Sequence, residues 1–407
     1  MDQRKGKTVV IDQPDLKMGF RPSGKQLWID PQKTPVFGFI CPMFSFEIIP
    51  YTLIFNFEAG TSRGILTEKK TWFIRLTHSE FPDREGWGEC GPLQGLSPEN
   101  LTSFEKDLSE LSSWLAPRLN IEHRIWENLS PRWMEEWKGP WLPSAWFGWE
   151  TAWLDWLNGG RGIICDPVFH AGHWRTPING LVWMNPRQTM EAQAQEKRAE
   201  GFDTIKFKVG ALDWQQELDM LREIRSQMPS SDIRIRLDAN GAWRPDEAMS
   251  KLEELSVLDI ESIEQPISSG QELAMKELCL SSPIPIALDE ELIGKPLDRQ
   301  KFSLLETVEP PLIVLKPTLV GGLGQCNQWI KMAEEMGIGW WITSMLESNI
   351  GLNAVSQLAS QYHPLIPQGL GTGKIYRNNP PSPLTVADGF IFSDPSKSWD
   401  FSALKNG

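Results

Sequence analysis

Two lysines, Lys206 and Lys208, stand two residues apart in the apolar run "DTIKFKVGAL". Strand side chains alternate faces, so both ammonium groups point one way while Ile205, Phe207 and Val209 point the other. Like charges side by side destabilise a strand. The doubling makes chemical sense if one lysine has to give up its proton, because a cationic neighbour, burial and a nearby metal all favour the neutral amine. Three acids follow at intervals of roughly 25 residues, each at the end of a short apolar run: Asp238 in "IRLDAN", Glu264 in "IEQP" and Asp289 in "ALDEE". One such acid alone reads as a helix cap. Three on neighbouring strands repel one another unless a cation lies between them, and an all-oxygen donor set suits Mg2+, with Mn2+ as a substitute. Lys316 ends the next run, "LIVLKP".

The elements that must position these groups recur with a regular period. Strand-like runs begin at Ile178, Thr204, Ile233, Ile260, Ile284, Leu312, Gly339 and Leu365. The gaps hold a loop and a helix of about three turns. "LDWQQELDMLREIRSQM" places Leu218, Leu221, Ile224 and Met228 on one stripe, and "RPDEAMSKLEELSVL" opens with Pro245 and acids that suit a helix start. The gap between Ile284 and Leu312 has the weakest helical pattern. Strand and helix in alternation predict an α/β fold, a parallel (β/α) TIM-type barrel over residues 166–375, whose strand ends open on one face. An open doubly wound sheet fits the same period. If the aliphatic faces pack on outer helices, Asp238, Asp289 and Lys316 all point into the barrel.

Residues 44–165 have a different texture and predict an α+β capping domain. "FSFEIIPYTLIFNF" and "KKTWFIRLTH" read as two antiparallel strands joined by a loop, "TSRGILTEK". Ser97 to about Asn158 reads as helical, with Trp146, Trp149, Trp153 and Trp156 forming one packing stripe. Residues 376–407 are expected to return to the capping domain. Residues 1–43 lack periodicity and read as an N-terminal extension, with Met43 as an alternative start.

Composition narrows the partners. The chain has 407 residues, 40% of them hydrophobic, and a formal net charge of -13. That charge opposes a nucleic-acid or anionic-membrane surface. No apolar run is long enough for a membrane helix, and the first residues lack the pattern of a secretory leader, so a cytoplasmic location is expected. The five cysteines are scattered and read as free thiols. His170 and His173 lie close in sequence with no third ligand beside them. "GLGTGK", Gly369 to Lys374, lacks the P-loop spacing. Oligomeric state is left open.

A K-x-K strand followed by Asp, Glu and Asp at successive strand ends, then Lys, resembles the enolase superfamily, muconate-lactonising subgroup. "GWGECGPLQGLSPE" resembles that family's cap. "GFDTIKFKVGALDW", "TSMLESNIG" and "GLGTGKIYRNNPPSPL" are most similar to its o-succinylbenzoate synthase branch. The resemblance implies a lyase acting on a small-molecule carboxylate: dehydration of 2-succinyl-6-hydroxy-2,4-cyclohexadiene-1-carboxylate to 2-succinylbenzoate, in menaquinone or phylloquinone biosynthesis. It implies Asp238, Glu264 and Asp289 as Mg2+ ligands and Lys208 as the base. Lys316 would be the opposing cation and Lys206 would modulate the pKa of Lys208. Asn240 and Ser344 are carried over as polar groups near metal or substrate. The base requirement is large: an ordinary lysine titrates near ~10.4 and must reach about 7–8. Racemases and dipeptide epimerases share all five chemical positions, and a non-catalytic binding protein on this fold is the remaining alternative. Substrate selection is expected from the loop around Thr61–Leu66.

Overall fold

The computed structural model describes residues 43–61, 64–122 and 132–405, with side chains assigned outside 120–122. The expected extension lies outside the described residues up to residue 42. The cap opens with a meander of three antiparallel strands, β1 (Phe44–Thr61), β2 (Gly64–His78) and β3 (Phe81–Cys90). The segment expected to be a loop is mostly strand: Ile65 pairs with Gly60 and Leu66 with Ala59. Those pairings extend the hairpin almost to its tip, because each backbone group gains a partner there.

The third strand had no apolar signature. Its glycines explain why it is nonetheless there. A Cβ at Gly86 would lie 2.1 Å from the Ala152 carbonyl oxygen, and one at Gly88 would lie 1.8 Å from that of Gly148. The missing side chains let the helix Pro143–Leu157 lie directly on the strand. All four expected tryptophans of that helix are buried in the cap core. The region expected to be helical, Ser97 to about Asn158, contains Phe104–Glu122 and Pro143–Leu157, with a break at 137–142. Gly139, Pro140 and Pro143 stand at that break, and proline lacks the amide hydrogen a helix interior needs.

Seven parallel strands follow: β5 (Gly180–Val182), β6 (Thr204–Lys208), β7 (Arg234–Asp238), β8 (Ile260–Glu264), β9 (Ile286–Leu288), β10 (Leu312–Leu315) and β11 (Gly339–Ile342), each hydrogen-bonded to the next in chain order. The short β4 (Thr176–Pro177) precedes them. The run beginning at Leu365 forms no strand of its own, yet it closes the ring. Gln368 bridges to Ile178 and Gly369 to Thr343. The Asn179 amide donates to the Gln368 carbonyl at 2.9 Å, and the Gly369 amide donates to the Ile342 carbonyl at 2.8 Å. A closed ring removes the open-sheet alternative. The fold is α/β, a modified parallel barrel with a capping domain.

Helices cover the outside, including Asp298–Val308 in the gap with the weakest pattern. The outward strand residues Ile205, Phe207, Leu237, Ile263, Leu288, Ile313 and Leu315 share one core with those helices. Inside the ring, Ala287, Val314 and Trp341 pack together. Arg236 is also interior, 2% exposed. Its guanidinium stacks on Trp341 and donates to the Pro367 carbonyl at 2.7 Å, which ties β7 to the closing segment. After the barrel, 375–378 hydrogen-bonds along β1: the Asn56 amide donates to the Ile375 carbonyl and the Arg377 amide to that of Ile54. The hairpin β12 (Leu384–Ala387) and β13 (Phe390–Ser393) pairs with β4.

Two buried cap carboxyls are pushed up to about 7 by burial: Glu99, which accepts the Ser144 amide at 2.7 Å, and Asp155, which accepts those of Trp87 and Gly162. In the unfolded chain both titrate near ~4. The fold therefore favours their protonated forms, and the stability this contributes is present below pH ~4 and lost as pH rises to about 7. Melting temperature measured from pH 5 to 8 is expected to fall less steeply in Glu99→Gln than in the parent protein.

Candidate active site

On β6 the side chains alternate as the sequence requires. Ile205 and Phe207 are fully buried outward, and Lys206 and Lys208 face the barrel mouth. The register then lines up the charges. Lys208 stands beside Asp238 across β6 and β7, and Asp238 beside Glu264 across β7 and β8. Asp289 follows β9 directly and Lys316 follows β10.

Both ammonium groups of β6 reach the same oxygen. Asp238 Oδ2 is 3.3 Å from Lys206 Nζ and 2.9 Å from Lys208 Nζ. Lys206 also donates to both Glu264 oxygens, at 2.8 and 3.0 Å. Lys208 donates to Asn240 Oδ1 at 2.7 Å, and Lys316 pairs with Asp289. The like-charge conflict on the strand is thus offset by Asp238 on β7 and Glu264 on β8.

Burial and charge compete in five of these groups: Lys206, Lys316, Asp238, Glu264 and Asp289. Burial works to discharge Lys206, but Glu264 and Asp238 outweigh it and hold its pKa above the ordinary value. Lys316 is likewise buried, and Asp289, Glu290 and Asp238 raise it. Burial would raise Asp238, yet Lys208, Lys206 and Lys316 together hold it below the usual carboxylate range. Glu264 is raised by burial against the pull of Lys206, and burial pushes Asp289 up to about 7 against Lys316.

Supporting amides and carboxylates fix the loops that carry these residues. Gln265, directly after Glu264, accepts the Asp289 amide at 3.1 Å and donates to the Ile267 carbonyl at 3.0 Å. Glu217 accepts the amides of Gly210, Ala211 and Leu212 just past Lys208. Asn240 sits at φ +45 and donates its side-chain amide to Glu290. Such left-handed turns right after a strand aim side chains back across the mouth.

One pocket gathers Lys206, Lys208, Asp238, Asn240, Lys316 and Ser344. Glu264 and Asp289 are buried behind its wall. Ser344 shares a short hydrogen bond with Thr372. Other parts of the wall went unassigned in the sequence: Leu93, Leu181, Trp183, Met345 and Leu346 give it an apolar face, and Asn179 adds a polar one. Period-two alternation in "INGLVWM" carried part of that signal, since Asn179, Leu181 and Trp183 share the inward face. Thr61 and Leu66, at the ends of the expected selecting loop, do line the pocket. His170 and His173 are not part of it.

Among the described residues, no three acidic, histidine or cysteine side chains are drawn together tightly enough to grip a metal as they stand. The lysines hold the carboxylate oxygens instead. The donor set still fits a hard divalent cation. Three buried carboxylates follow neighbouring strands, and two of them are pushed toward the neutral acid by burial, a strain that a cation relieves.

Residues 189–394 match the family model described as "Enolase C-terminal domain-like". The chain belongs to the enolase superfamily. Within it, the chain is 42% identical over 364 residues to an o-succinylbenzoate synthase of Desulfotalea psychrophila, covering 83% of this chain and 96% of that relative. A crystal structure of MenC from the same organism superposes with a TM-score of 0.71 at 36% identity, covering 86% of this chain and 99% of that one. The L-Ala-D/L-Glu epimerase of Bacillus subtilis is 27% identical over 303 residues, covering 70% of this chain and 76% of the epimerase.

Gln265→Leu keeps the volume but leaves the Asp289 amide and the Ile267 carbonyl unpaired. Denaturant unfolding is expected to show a loss of about 2 kcal/mol.

Proposed function

We propose that this protein is a magnesium-dependent dehydratase that converts 2-succinyl-6-hydroxy-2,4-cyclohexadiene-1-carboxylate to 2-succinylbenzoate. One observation carries the reading. Lys208 and Lys316 line the same pocket from β6 and β10, four positions apart in an eight-membered ring, and so flank a substrate from opposite sides. Asp238, Glu264 and Asp289 would hold the cation. When bound, it supplies positive charge to a substrate carboxylate, making the neighbouring C–H more acidic.

Lys208, as the neutral amine, takes the proton α to the carboxylate. The electrons form a ring double bond as the 6-hydroxyl leaves. Lys208 then returns its proton to the departing hydroxide, so water and an aromatic ring result. Lys316 keeps its charge and faces the negative charge that develops on the carboxylate. Lys206 stays cationic between Glu264 and Asp238 and opposes a second charge on Lys208. Asn240 orients Lys208 through their hydrogen bond, and Ser344 presents a hydroxyl to the substrate.

The epimerase alternative expects an acidic pair after the closing segment to hold an amino group. That part of the wall is formed by Gly369, Gly371 and Thr372. A non-catalytic role leaves three lysines at the mouth of one pocket without a purpose. No helix among the described residues is long and apolar enough to cross a membrane. The four described cysteines are free. Free thiols fit a reducing compartment, and we place the reaction in the cytoplasm on that ground.

Purified protein incubated with MgCl2 and the cyclohexadiene should deplete its ultraviolet absorbance, and chelator should stop the change; no metal-dependent turnover rejects the reading. Lys208→Ala should lower kcat by about 10³-fold or more with melting temperature nearly unchanged. In thermal melts, Mg2+ at 100 times its Kd should stabilise the parent by about 2.7 kcal/mol, and Glu264→Gln should shift that titration to much higher metal.

A further inference from the structure

Lys69, on β2 of the cap, is 3% exposed and does not line the substrate pocket. Its ammonium donates to the Leu346 carbonyl at 3.0 Å, and the Tyr376 hydroxyl donates to the same carbonyl at 2.8 Å. Burial lowers the Lys69 pKa, and Glu89 and Glu347 counter it. Those two carboxylates also secure the chain around Leu346. Glu347 accepts the Met345 amide at 2.8 Å and the Thr318 hydroxyl at 2.6 Å. Glu89, on β3, accepts the Ser348 hydroxyl at 2.6 Å and the amides of Ser348 and Gly351.

Leu346 sits at φ +59, a left-handed conformation that a leucine holds only when its surroundings impose it. Its side chain packs against the cluster of Phe55, Trp183 and Tyr376. Ser344, Met345 and Leu346 all line the pocket that contains Lys208 and Lys316. The Lys69 ammonium, ion-paired with Glu89 at 3.9 Å, thus donates to a backbone carbonyl of the barrel, at the residue whose conformation shapes the pocket's apolar wall.

We propose that Lys69 is a positioning residue: by holding the Leu346 carbonyl it keeps Met345 and Leu346 in the arrangement that fits the carbocyclic ring of the substrate. This rests on the dehydratase reading for the identity of the substrate, but the geometry of the wall does not. Lys69 touches no reacting atom, so its loss acts on substrate fit before it acts on the chemical step.

The experiment compares Lys69→Met, Tyr376→Phe and Ser112→Ala, the last removing a cap-core hydrogen bond to Trp149 far from the wall. For the cyclohexadiene substrate, Lys69→Met is expected to raise KM about tenfold with kcat within about threefold, as the loss of one charged hydrogen bond predicts. Tyr376→Phe should raise KM less. Hydrogen–deuterium exchange on the full chain should speed up at Met345–Ser348 in both variants and stay unchanged there in Ser112→Ala. If Lys69→Met lowers the melting temperature as Ser112→Ala does, with KM and exchange at Met345–Ser348 unaltered, Lys69 is only structural and the proposal is overturned. If Lys69→Met does not fold, unchanged KM and exchange in Tyr376→Phe overturn it equally. A parent protein that fails to turn over the substrate rejects the dehydratase reading alone, and the exchange measurements still decide the role of Lys69.

Discussion

Three ammonium groups, that of Lys208 only partly buried, and three buried carboxylates meet at the barrel mouth, and each sign is tolerable only because the other is present. Taking any one charge out of water costs several kcal/mol after relaxation. Asp238 shows the mutual dependence most directly, since one of its oxygens serves both Lys206 and Lys208. The strand register is locked by the same contacts, because slipping β6 by one residue against β7 would turn both lysines outward and leave Asp238 and Glu264 buried alone. The parallel ring, the inward alternation and the left-handed turns after β7 and β8 all serve this arrangement.

A divalent cation entering the mouth would compete with lysines that already hold the carboxylates. That competition would give the site two states of charge. Without metal, the ammonium groups neutralise the acids. A bound cation would take over part of that neutralisation.

The sequence carried the ring and its charges well because both obey short periods. Ile205, Phe207 and Val209 opposite Lys206 and Lys208 announce a strand with a chemical face, and the acids recur at the spacing of a strand, loop and helix. What it carried poorly depends on neighbours far along the chain. β3 is polar and glycine-rich because the helix Pro143–Leu157 presses on it, and nothing local in "FPDREGWGEC" says so. The segment at Gln368 pairs for only one or two residues on each side, too briefly for a pattern. The helix Asp298–Val308 buries Lys301 along with its leucines, which blurs its stripe. The pocket wall from Met345 to Leu346 is set by a lysine some 277 positions away. The pairing of each lysine with a carboxylate also required the fold, since the alternation predicts that charges share a face but not which ones touch.

The closure at Gln368 carries a consequence for biogenesis. The two edges it joins, Ile178 and Thr343, are separated by almost the whole barrel. During synthesis the earlier strands can stack in order as they emerge, since each pairs with its predecessor. The seam itself must wait for a residue near the end of the chain, and long-range closure of this kind is slow. Until then β5 and β11 expose unpaired edges, the natural targets for a chaperone or for another half-made copy.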